Sequence, residues 1–178
     1  METLSIHEAA PGHHFQIAIQ QEVEDLPDFR KFGGYTVFAE GWALYAESLG
    51  KELGLFTDPY MWYGRLSDEQ LRAMRLVVDT GLHAFDWSRE QAIDFMLTNS
   101  SMAESDVVAE VERYISMPGQ ALAYKAGERH IRRLREKASA ALVDKFDIRQ
   151  FHTQILIDGA MPMPLLETKI DKWIARQR

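Results

Sequence analysis

Near the start of the chain, His7-Glu8-Ala9-Ala10-Pro11-Gly12-His13-His14 places three of the six histidines within eight residues, with no lysine or arginine among them. Neutral imidazole is a preferred ligand of catalytic zinc, which keeps one position open for water. The metal lowers the pKa of that water towards about 7 and polarises the bond to be broken. A glutamate directly after the first histidine is the proton acceptor in the related His-Glu-x-x-His pattern, which gives Glu8 the part of general base. Here the histidines stand further apart, at positions 7 and 13. On an unbroken helix that spacing means ~240° of rotation and ~9 Å of rise, too far for one ion. Pro11 breaks the helix and Gly12 lets the backbone bend, so the two histidines can converge across the break. His14 is a reserve ligand or a supporting residue behind the first two, because a regular helix would hold it ~10.5 Å from His7. Taken alone, the cluster also fits ordinary polar histidines at a helix start.

A carboxylate completes the set. The stretch Phe38-Ala39-Glu40-Gly41-Trp42-Ala43-Leu44-Tyr45-Ala46-Glu47 predicts a helix over residues 35–49, with Phe38, Trp42, Tyr45 and Leu49 in one apolar stripe. Glu40 and Glu47 share the opposite face and are the only charged residues between Tyr35 and Leu49. So apolar a helix is buried nearly all round, and a buried carboxylate needs a partner or a metal. Glu40 is the expected third ligand beside His7 and His13, for one zinc ion per chain. The bland alternative makes the two glutamates the wet face of the helix.

His-Glu-x-x-Pro-Gly-His-His-x-Gln followed by Glu-Gly-Trp-Ala-Leu-Tyr-x-Glu resembles the "domain of unknown function 885" family of bacterial proteins. That family in turn resembles the gluzincin metallopeptidases, whose third zinc ligand is a glutamate on a second helix. The 27 positions from His13 to Glu40 (40 − 13) suit that arrangement. Glu47 matches the second glutamate of a Glu-x6-Glu pattern in some zinc carboxypeptidases and would support a ligand histidine. The likeness continues through Arg75–His83, Arg113-Tyr114, Pro118–Tyr124, Phe151-His152 and Asp158–Ala160. It departs from the gluzincins in the insertion between His7 and His13. The resemblance implies a zinc-dependent hydrolase, most naturally a peptidase, and it matches the C-terminal part of longer proteins.

Other residues qualify for chemistry. Tyr124 and Tyr114 are candidate phenol donors; a positioned hydroxyl stabilises the charge that builds on a carbonyl oxygen during hydrolysis. Tyr124 is favoured because Pro118-Gly119 interrupts the chain just before it. His83, at the end of an apolar helix, could do the same work or simply sit on the helix dipole. Arg113 and Arg75 could clamp a substrate carboxylate, with Tyr114 beside them. His152 reads as a packing residue.

The whole chain bounds these readings. Its 178 residues suffice for one domain with a core. A net charge of −7 argues against nucleic acid as a partner. There is no cysteine, hence no disulfide and no thiolate site. No apolar run approaches the ~20 residues of a membrane span, and no signal peptide precedes the motif. Localisation stays open, since longer relatives could be periplasmic or cytoplasmic. Expected partners are a peptide or small-molecule substrate, and either another copy of the chain or a missing N-terminal part. A non-catalytic helical interaction domain, or an inactive fragment, is the alternative to the hydrolase.

The elements that must position these residues are all helical. A first helix over residues 3–10 bends at Pro11-Gly12 and continues to about Val23. Glu22–Asp28 reads as an acidic turn, and Phe32-Gly33-Gly34 leads into the Glu40 helix. Asp58-Pro59 starts a long helix with Trp62, Leu66, Met74, Val77, Val78 and Leu82 inward, which Ser67-x-x-Gln70 could restart. Ser88-x-x-Gln91 and Ser101-x-x-Glu104 read as capping boxes. A helix from Pro118 to Leu142 puts Lys125, Glu128, Arg129, Arg132 and Arg133 on a solvated face. Asp147 starts another helix, stopped at Gly159, and Leu166, Ile170, Trp173 and Ile174 line a last one. The prediction is an all-α fold, residues 1–178 in a single domain of about seven to nine helices.

Overall fold

Proline and glycine act where expected. In the computed structural model, which describes residues 2–178, α1 (Glu2–Glu8) stops before Pro11 and α2 (His13–Glu22) starts after Gly12. A β-carbon on Gly12 would stand 1.9 Å from the His7 carbonyl oxygen, so only glycine lets the chain return this closely over the end of α1. The single turn α3 (Asp28–Lys31) was not legible in the acidic stretch. Buried Gln20 fixes it, donating from Nε2 to the Arg30 and Gly33 carbonyls at 2.7 and 2.9 Å.

Helix α4 (Thr36–Ser48) is covered almost all round, as its composition required: Phe38, Trp42, Leu44, Tyr45 and Glu47 are all buried. It crosses α8 (Ala123–Leu142) backbone to backbone. A β-carbon on Gly41 would lie 2.5 Å from the Gly127 α-carbon, and one on Gly127 would lie 2.1 Å from the Val37 carbonyl oxygen. This crossing ties Glu40, next to Gly41, to the first turn of α8, where Tyr124 sits. Gly127→Ala is therefore expected to cost at least about 1–3 kcal/mol, because neither backbone can yield. Urea denaturation measures this, and an unchanged midpoint would show that the crossing is not tight.

Asp58 caps α5 (Pro59–Ala84) by accepting from the Tyr60 amide at 2.6 Å. The helix runs through Ser67 without restarting. Leu66 and Val77 correct the expected inward face, since both are exposed while Arg65, Arg75 and Asp79 are buried. Glu128 is a second correction: placed on the solvated face by pattern, it is fully buried. The physical reason is shared. Arg65, Glu69, Lys125, Glu128 and Arg132 form one ion-pair chain, with Lys125 at 2.5 Å from Glu69 and 3.0 Å from Glu128. Periodicity showed which residues share a face, but not that two charged faces meet.

The Ser88–Gln91 capping box forms in full at α6 (Arg89–Thr98). The Ser101–Glu104 box does not: α7 (Glu104–Ser116) begins after Ala103 without a side-chain cap. Short 3-10 turns at Gln120–Leu122 and Val143–Lys145 flank α8. Asp147 caps α9 (Ile148–Leu156), accepting from the Arg149 amide at 2.8 Å, and Gly159 ends the segment with φ of 69°. In α10 (Met163–Gln177) the four predicted apolar residues are buried.

Among the described residues there are nine helices of seven residues or more and no strand, so the all-α, single-domain prediction holds. One core joins α4, α8, α9 and α10 around Trp42, Leu134, Phe151 and Trp173; another joins α5, α6 and α7 around Val78, Met96 and Val111. Among the described residues no helix is long and apolar enough to cross a membrane.

Candidate metal centre

Three elements converge beside the Gly12 return. His7 comes from the last turn of α1, His13 is the first residue of α2, and Glu40 comes from α4. Glu40 Oε2 lies 3.2 Å from His13 Nε2 and 3.6 Å from His7 Nε2. One ligand atom from each residue falls within 4.8 Å of the others, so the group could hold a metal ion. The two imidazoles meet edge to face, with ring centres 4.7 Å apart. Glu40 Oε2 is buried, and neither contact is aligned as a hydrogen bond. A buried carboxylate oxygen left this way is costly unless a cation takes it up.

Glu47, fully buried on the same face of α4, accepts from His7 Nδ1 at 2.6 Å. That contact puts one proton on Nδ1 and turns Nε2, the atom a metal would take once its own proton leaves, towards Glu40 and His13. This is how an outer carboxylate orients a ligating histidine.

Tyr124 stands over the group. Its ring stacks on His7 at 6.3 Å, and its hydroxyl interacts with the Glu40 carboxylate. The hydroxyl accepts from Arg113 Nη2 at 3.1 Å and from Gln120 Nε2 at 3.3 Å. The structure thus brings Tyr124 and Glu47 to the three histidine and glutamate side chains, and Arg113 to the Tyr124 hydroxyl. Glu8, next to His7 in the chain and last in α1, is exposed.

Other candidates fall elsewhere. His14 is exposed and stays outside the group. Tyr114 is buried and donates its hydroxyl to Glu110 at 2.5 Å. His83 is exposed and donates to the Tyr114 carbonyl at 3.0 Å. No hydrogen bond, ion pair or ring contact joins either residue to His7, His13 or Glu40. Arg75 is enclosed by Glu110, at 2.8 Å, and by the Tyr114 hydroxyl, at 3.1 Å, and is unavailable as a clamp. His152 does pack, edge-on to Trp42 at 5.5 Å, but it also meets the Tyr45 hydroxyl at 2.8 Å. Burial pushes its pKa down to about 4, so the ring meets the tyrosine hydroxyl in its neutral form. Arg72 on α5 escaped sequence reasoning; its charge opposes protonation of His7. Nothing in the local pattern around Arg72 separates it from its solvated neighbours.

Burial disfavours a charged His7, yet Glu40 and Glu47 outweigh it and raise its pKa to about 9. Burial likewise disfavours ionised Glu40, but His13, His7 and the Tyr124 hydroxyl hold its pKa at about 2. The metal-free chain therefore keeps a proton on His7 that an arriving cation must displace. Apparent metal affinity is expected to rise by up to about tenfold per pH unit above neutrality and to level off near pH 9. In the metal-free chain the raised pKa stabilises the fold below pH 6.5, and that contribution is lost as pH rises from 6.5 to about 9. Competition titrations with a chromophoric chelator read the affinity; a flat profile over this window would remove His7 from the ligands.

A family model described as "Bacterial protein of unknown function (DUF885)" matches residues 1–170. The chain belongs to this family. Two solved structures are similar to it. One, "the putative lipoprotein from Colwellia psychrerythraea", is 50% identical with a TM-score of 0.96, over 98% of this chain and 30% of that one. The other, "a putative lipoprotein of unknown function from Shewanella oneidensis", is 27% identical with a TM-score of 0.85, over 94% of this chain and 30% of that one. The chain thus spans under a third of the length of each. No curated protein matches it.

Proposed function

We propose that this DUF885 chain carries the metal centre of a zinc-dependent hydrolase acting on peptides. The observation that carries the reading is the spacing of the three ligand atoms. Bonds of about 2.1 Å in a tetrahedral zinc site put ligand atoms ~3.4 Å apart. The contacts from Glu40 Oε2, 3.2 and 3.6 Å, bracket that value. Two imidazoles and a carboxylate, with a fourth position unfilled, are the donor set of a catalytic zinc rather than a structural one.

Zinc held there would supply Lewis acidity and an activated water. Glu8, which follows His7 in the chain and is exposed, would take a proton from the attacking water and pass it to the leaving amine. Tyr124 offers its hydroxyl to the oxygen on which negative charge develops. Glu47 keeps the His7 ring turned with Nε2 inward. The description of both solved relatives as "putative lipoprotein" suits a hydrolase of the cell envelope.

Elemental analysis of the chain purified without chelator tests the reading. The expected result is close to one zinc per chain. No metal, and no uptake when zinc is supplied, would favour the second reading, a helical interaction domain. That reading draws on the exposed rings of Phe29, Phe32, Tyr60 and Phe85.

A further inference from the structure

Arg113 is the cation of this centre with donors to spare. Its side chain is 34% exposed, against 5% for Arg75. Its hydrogen bonds go from Nη2 to two neutral groups, Gln120 Oε1 at 3.0 Å and the Tyr124 hydroxyl at 3.1 Å. Its nearest carboxylate, Glu110, is 3.7 Å away and is already held by Arg75 at 2.8 Å. A guanidinium that lacks a close counter-ion, next to a hydrolytic centre, is positioned to receive an anionic group of the substrate.

Distance says which anion. The Tyr124 hydroxyl that accepts from Arg113 at 3.1 Å is the one offered to the scissile carbonyl oxygen in the reading above. Two hydrogen-bond lengths, about 6 Å, therefore bound the separation between Arg113 Nη2 and that oxygen. In a peptide cleaved one residue from its end, the terminal carboxylate carbon lies within about 4.3 Å of the scissile carbonyl oxygen, four bonds away, so its oxygens come within reach of a guanidinium held there. A chain continuing past the cut would instead lay an uncharged amide against the guanidinium and leave the cation without a partner.

We infer that Arg113 binds the C-terminal carboxylate of the substrate, which makes the proposed hydrolase a carboxypeptidase. The inference rests on the hydrolase reading above. Water adds its oxygen to the acyl carbon, the C–N bond breaks, and one water proton reaches the leaving nitrogen through Glu8. The products are one free amino acid and a peptide shortened by one residue. No oxidant or second substrate is needed.

The test uses N-benzoylated dipeptides ending in alanine, phenylalanine, lysine or glutamate, each as the free acid and as the carboxamide. Binding to the zinc-loaded chain is read by calorimetry, and release of the amino acid by chromatography. At least one free acid is expected to bind about ten- to a hundredfold more tightly than its amide. Arg113→Ala should erase that difference without weakening the amide, and Arg113→Lys should keep part of it. Equal binding of acid and amide by the unaltered chain, or no binding of either, overturns the inference whether or not the variants fold. Failure of the hydrolase reading shows separately: a preference for the acid with no amino acid released leaves Arg113 as a carboxylate site and removes the reaction.

Discussion

Glu8→Gln is expected to abolish peptide hydrolysis while leaving the zinc content at one per chain. A positioned general base contributes about 10²–10⁴-fold to rate, and glutamine matches glutamate in shape but cannot take the proton. Metal should be retained because the converging ligand atoms belong to His7, His13 and Glu40, with Glu8 outside their group. The measurement is kcat on the peptide that the parent chain cleaves best, beside elemental analysis of the same preparation. Undiminished turnover would end the case for Glu8 as the base. Joint loss of zinc and activity would make it a ligand instead.

Glu40→Ala should do the opposite and remove the metal first. Its Oε2 is the atom both imidazoles face, so the variant drops from three protein ligands to two. Losing an outer partner of a ligand costs about 10–100-fold in affinity. Glu47→Gln, which disturbs only the His7 ring, should fall in that range, and Glu40→Ala should exceed it. Dialysis against zinc buffers reads both. An affinity for zinc unchanged by Glu40→Ala would take that residue out of the ligand set, and equal losses in the two variants would erase the distinction between ligand and orienting residue. Circular dichroism of the metal-free variants separates these effects from unfolding.

Much of this was readable before any coordinates. The three ligands could be named from side-chain chemistry, because Pro11-Gly12 excuses a spacing that an intact helix forbids. The burial of Glu40's helix followed from its near absence of charge. Helix starts at Asp58, Ser88 and Asp147 were legible because a cap is a local hydrogen bond. What could not be read depends on neighbours remote in sequence. Glu128 and Arg65 look like surface residues until their helices face each other across an ion chain. The Pro118-Gly119 break favours Tyr124 but leaves His83 and Tyr114 open beside it. Only the α4–α8 crossing selects Tyr124, by bringing the start of α8 over His7.

The indole nitrogen of Trp42 donates to the Pro11 carbonyl at 2.7 Å. Trp42 and Glu40 belong to one helix, so the bend between the histidines is fastened to the element that presents the carboxylate. The ligands are therefore held in register before any ion arrives, and little chain entropy is lost on uptake. Zinc-finger folds behave differently, since they gain their structure from the metal and collapse when a chelator removes it. In this chain the proposed ion would be a guest of a finished scaffold. It would leave and return without the helices coming apart, its affinity set by proton competition and ligand chemistry rather than by folding.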